Sequence, residues 1–80
     1  MRFELYTEAV LAHDLPEHRL RRGDLVKLVD RHVACDGTEG YLIEVFNALG
    51  NTLLITAISE RDLEPLREDE LFCARMLTTA

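Results

Sequence analysis

The sequence predicts a mainly β domain: a small five-stranded SH3-like barrel closed off by a short C-terminal helix. Three observations carry this expectation. Short runs rich in β-branched residues recur at roughly 8–12-residue spacing. Glycine-containing turn pairs separate them. Past Leu66 the apolar residues switch to helical spacing.

Strand one is expected over Glu8–Leu15, an apolar and partly alternating run that stops at Pro16, whose missing N–H interrupts a ladder. Pro16 to Arg22 has no period and reads as an ordered loop with Leu20 tucked inward. It ends at the turn pair Gly23-Asp24. Leu25–Val33 is strand two, and Cys35–Gly40 closes a hairpin onto strand three, Tyr41–Phe46. The tight turn Asn47–Asn51 leads into strand four, Thr52–Ser59. Ser59 then starts a capping-box sequence with no long apolar period behind it, which predicts a single 3₁₀ turn. Leu63–Leu66 supplies a short fifth strand limited by Pro65. From Glu68 to Leu77 the pairs Leu71/Arg75, Phe72/Met76 and Cys73/Leu77 fall at i, i+4, and Asp69 and Glu70 lie where a helix start favours acids. The expected organisation is a barrel over residues 1–67 and a helical extension over 68–80.

Eighty residues make one domain, and an apolar fraction of 48% against 30% charged is the composition of a folded globule. No run of about 20 apolar residues exists, so no membrane-spanning helix is expected. The N-terminus lacks an apolar h-region, and two cysteines are too few for a disulfide framework. A cytoplasmic protein with reduced thiols is therefore expected.

The run Asp14-Leu15-Pro16-Glu17-His18, then Arg22-Gly23-Asp24-Leu25, then Tyr41 to Gly50 and the closing Asp62-Leu63-Glu64-Pro65-Leu66, resembles the short bacterial proteins of the domain-of-unknown-function family 4926. The likeness covers roughly residues 5 to 66. Its most specific element is the Leu-Pro-Glu-His loop with Gly-Asp five residues on. The resemblance implies a small SH3-like β-barrel, usually a stand-alone chain, and no established activity. Arg19 and Val26 stand where the pattern has glycine, and Glu68–Ala80 runs past the family's usual end. No functional residue carries over.

Candidate chemistry is sparse. His13, His18, His32, Cys35 and Cys73 show none of the usual zinc spacings, so they read as exposed or core-edge side chains and no metal or other cofactor is expected. Cys35 and Ser59 lack a recognisable base or a glycine-flanked elbow, and Asp24, Glu44 and Asp62 read as solvated acids. No enzyme is expected.

Charge is polarised within the total of −6. Glu17 to His32 holds five basic and three acidic residues, whereas Glu60 to Glu70 holds two basic and six acidic. Arg19, Arg21 and Arg22 form a basic contact patch, the footprint a KOW-like RNA-binding module would use. The acidic total and the lack of an aromatic stacking platform speak against nucleic acid.

Both faces of strands three and four are partly apolar. With Tyr41, Ile43 and Val45 inward, Leu42, Phe46, Leu54 and Ile58 become an outer patch, which Leu71, Phe72 and Met76 of the C-terminal segment would cover in the same chain or in a second copy; equally, one of these sets completes a slightly larger core. The functional expectation is a non-enzymatic protein–protein interaction module. It would act as a homodimer or as the small partner of another protein, antitoxin-like towards a basic one.

Overall fold

A computed structural model describes residues 3–77. Five strands form one antiparallel sheet: β1 (Glu8–Leu11), β2 (Leu25–Val33), β3 (Glu39–Phe46), β4 (Thr52–Ser59) and β5 (Leu63–Glu64). Their order is β4-β3-β2-β1-β5. The domain is mainly β, as its patterning requires. β4 and β5 stand at opposite edges with no strand pairing between them, so the sheet is open where the sequence predicts a closed barrel.

One side of the sheet buries the core. Ala9 and Leu11 of β1, Val26 and Leu28 of β2, Tyr41, Ile43 and Val45 of β3, Ile58 of β4 and Leu63 of β5 form one cluster. Leu15 and Leu20 complete it from the loop after β1. That loop explains why β1 stops at Leu11 rather than Leu15. Pro16 opens a 3₁₀ turn (Pro16–His18), and the peptide groups of Leu15 and Leu20 bond each other at 2.9 and 3.1 Å, which folds both leucines under the sheet. Arg19 ends the turn with φ of 60°, the left-handed region in which glycine is the usual occupant.

Tyr41 is fully buried, and its phenol is satisfied by the N-terminal segment. Its O–H donates to the Phe3 carbonyl at 3.0 Å, and its oxygen accepts the Phe3 N–H at 3.1 Å. The two rings meet edge to face. The second 3₁₀ turn, Glu60–Asp62, forms where it is predicted, with the Ser59 hydroxyl accepting from Arg61 N–H.

The C-terminal helix does not form. Residues 65–77 hold neither helix nor strand, and 78–80 lie outside the described residues. Ten residues cannot repay helix nucleation without a face to pack on. The acids expected at the helix start are used locally instead: Asp69 takes the Arg67 guanidinium, and Glu70 takes the Arg67 N–H in a single turn.

The β3–β4 register shifts by one residue between Val45 and Phe46. Phe46 pairs with Thr52 while Val45 pairs with Leu54, so Leu53 is the extra residue of a bulge. Because side chains alternate with period two, one inserted residue reverses the facing of everything beyond it. Leu54, Thr56 and Ile58 therefore turn to the core side, and Ile55 and Ala57 turn outward. The sequence-predicted facing of β4 is thus inverted. Ile58, expected on the outer patch, is 8% exposed and lies in the core, whereas Ile55 is 53% exposed.

At the far end of this pair the strands touch closely. A Cβ on Gly40 would overlap the Ile58 carbonyl oxygen, a backbone atom of a paired strand that cannot swing aside. Gly40→Ala should cost about 2–4 kcal/mol, a fall in Tm of roughly 10–30 °C for a domain of this size. Gly23→Ala, at φ of +90° but with no neighbour within 4 Å, should cost only about 1–2 kcal/mol. Thermal unfolding of the two variants beside the parent checks the ranking.

Candidate interaction surface

Three features face solvent with more apolar or directional character than an ordinary surface. The first is the outer face of β3 and β4. Cross-strand register places Glu44 opposite Ile55 and Leu42 opposite Ala57, with Phe46 at the strand end. Phe46 is 41% exposed, and Leu42 is half-buried. Glu44 is the acid within this patch, and it is engaged on both sides: Lys27 of β2 lies opposite it, and the Thr52 hydroxyl donates to its carboxylate. The patch is therefore apolar with its charge locally balanced. Of the four residues expected there, Leu42 and Phe46 are present. Leu54 faces the core side, where it packs half-buried against the cluster that contains Ile58. Ile55 and Ala57 take their places.

Sequence reasoning missed those two because Leu53, Ile55 and Ala57 and their alternates Leu54, Thr56 and Ile58 are almost equally apolar. Glu44 does not decide between them, because its partner is outward in either register, Ile55 with the bulge and Leu54 without it.

The second feature is the loop that carries Arg19, Arg21 and Arg22. All three are exposed, and the structure brings them together with two acids. Asp14 accepts the Arg22 N–H at 2.9 Å, and Asp24 accepts the Arg21 N–H at 2.8 Å. Asp24 also accepts the Arg75 Nε at 2.9 Å in a forked pair with the guanidinium, which reaches the Arg19 carbonyl as well. The two side chains of the pair retain 27% and 18% exposure for Arg75 and Asp24. Burial disfavours the Asp24 carboxylate, but the Arg75 guanidinium and the Arg21 N–H outweigh it and hold the carboxyl below its ordinary value.

The third feature is the tail that Arg75 pins. Leu71 is 92% exposed, Phe72 80% and Met76 87%. They do not cover the β3–β4 face. Leu77 is the exception, lining a shallow 150 Å³ hollow with His18, Leu20, Leu53 and Leu54. His18 Nε2 lies 3.4 Å from the Thr56 hydroxyl beside it.

The other chemical candidates stay apart. Asp24 is paired with Arg75 and Glu44 with Thr52, while the Asp62 carbonyl takes the Ala12 N–H. Among the described residues no three His, Cys, Asp or Glu side chains gather in a metal-holding group. Cys35 and Cys73 are free and exposed. Among the described residues no helix is long and apolar enough to cross a membrane.

The pairing of Asp24 with Arg75 makes the tail's attachment dependent on acid. Asp24 has a lowered folded pKa, so its contribution is complete above the unfolded carboxyl value of about 3.9 and disappears as pH falls through the folded value. The Arg75 Nε–H signal in NMR should therefore be slow to exchange at neutral pH and lose protection in acid. Asp24→Asn, which keeps the Arg75 Nε–H but removes its charged acceptor, should abolish that protection at every pH, and Arg75→Gln should release the tail, both leaving the β-sheet amides unchanged. Persistent ordering of the tail in Arg75→Gln would contradict the clamp.

Neither the curated proteins nor the solved structures give a significant match to the chain. The family described as a domain of unknown function, DUF4926, matches residues 5–65. That span runs from the turn before β1 through both 3₁₀ turns to the end of β5 and stops where the pinned tail begins. It covers more than half of the chain, which belongs to the DUF4926 family.

Proposed function

We propose that this chain is a non-enzymatic protein–protein interaction module, built on an open five-stranded antiparallel sheet, that acts as a homodimer or as the small partner of another protein. One observation carries the reading: large apolar side chains on the outer sheet face and in the tail stand exposed, with no cover among the described residues. Phe46 and Ile55 lie on a rigid sheet, and the tail that was positioned by sequence to cover them is held elsewhere by Arg75. A small domain that leaves such groups in water gains most from a partner that removes them. The separate engagement of the Asp24 and Glu44 carboxylates, by Arg75 and by Thr52, supports a role without acid–base chemistry.

An RNA-binding role is the second reading, favoured by the exposed arginines 21 and 22, whose backbone is held by Asp14 and Asp24. It predicts salt-sensitive binding that weakens when both arginines are replaced.

Light scattering on the purified protein and affinity recovery from native lysate test the first reading together. The expected result is a mass above that of the monomer or a stoichiometric complex, lost in a Phe46→Ser, Ile55→Ser double variant that keeps its fold. A monomer that recovers no protein contradicts it.

A further inference from the structure

The two edges of the sheet are built differently. β5 has two residues and is followed at once by Pro65, which cannot donate to a ladder. β4 has eight residues, Thr52–Ser59, with no charge, no proline and no lysine turned outward. Long uncharged edges of this kind template strand addition, and proteins that avoid it place charge there.

The geometry also says which peptide groups are free. The Ile58 carbonyl faces Gly40 of β3. In an antiparallel pair the N–H and C=O of one residue point the same way and alternate along the strand. Ile58, Thr56 and Leu54 therefore address β3, while Ile55 and Ala57 direct theirs to the open edge. Among the described residues no backbone hydrogen bond outside the β3–β4 pairing involves Ile55 or Ala57.

We infer that a second copy of the chain occupies this edge, β4 against β4, antiparallel about a two-fold axis at Thr56; this rests on the interaction-module reading above. The pairing closes on itself. Ile55 of each copy meets Ala57 of the other, and these two pairs exchange four N–H···O bonds. A large side chain faces a small one on the outer face, and Thr56 faces Thr56 on the other, a favourable cross-strand pair. No charge lies on either strand, so two copies that each carry −6 meet where neither presents an acid. The outer patch then becomes continuous across the axis from Phe46 and Ile55 of one copy to those of the other. An edge contact with few flanking residues is a small interface, with Kd of about 1–100 μM.

Amide hydrogen exchange over a concentration series, with sedimentation on the same samples, tests this. The Ile55 and Ala57 amides should exchange fast in dilute protein and become protected as the mass rises to that of a dimer, while Thr56 stays protected throughout. Ala57→Lys alters an exposed side chain and should leave a folded monomer. A parent monomer at about 1 mM, or a dimer in which Ile55 and Ala57 stay unprotected, overturns the inference. Either result leaves the wider module reading intact if a different protein is recovered stoichiometrically. Should Ala57→Lys fail to fold, the parent exchange data decide alone.

Discussion

The bulge at Leu53 is the constraint on which the surface of this protein depends. A five-residue turn followed by plain alternation would put Leu54, Thr56 and Ile58 outside and Ile55 and Ala57 inside. The extra residue reverses that, and Ile58 reaches the core beside Tyr41. The same shift aims Ile55 and Ala57 at solvent and their peptide groups at the open edge. One inserted residue thus decides both what the core contains and what a partner meets.

The core that results is small and relies on its ends. The sheet supplies most of the buried side chains, but Leu15 and Leu20 come from a loop held by its own reciprocal peptide bonds, and Tyr41 needs the Phe3 backbone to satisfy its hydroxyl. Loss of such a partner would leave a polar atom buried at a cost of about 1–3 kcal/mol, a large share of the stability of a domain this size. Arg75 adds a third such fastening, bringing the tail to Asp24 across 51 positions of sequence.

The order of the strands along the chain, the three glycine turns at Gly23, Gly37 and Gly50 and the second 3₁₀ turn were legible because β-branched runs and turn residues act over a few neighbours. The left-handed Arg19 was legible only through the family pattern, which has glycine there. The facing of β4 was not legible. Its two alternating sets are nearly equal in hydrophobicity, so the register, and not the composition, decides between them. The tail misled for a related reason: i, i+4 spacing describes a helix that would form if something packed on it, and Arg67 and Arg75 engage acids in an irregular chain instead. The interaction of Asp24 with Arg75 joins distant residues that no local pattern connects. Edge exposure followed from strand order, which the hairpin sequence alone left open.

The chain's three isoleucines report the register directly. Methyl NMR of isoleucine-labelled protein with a soluble paramagnetic probe should leave Ile43 and Ile58 sharp, with contacts from Ile58 to the Tyr41 ring, and should broaden Ile55 strongly in dilute protein. A sharp Ile55 that contacts Tyr41, with Ile58 broadened, would mean the strand pairs without the bulge and would contradict this account.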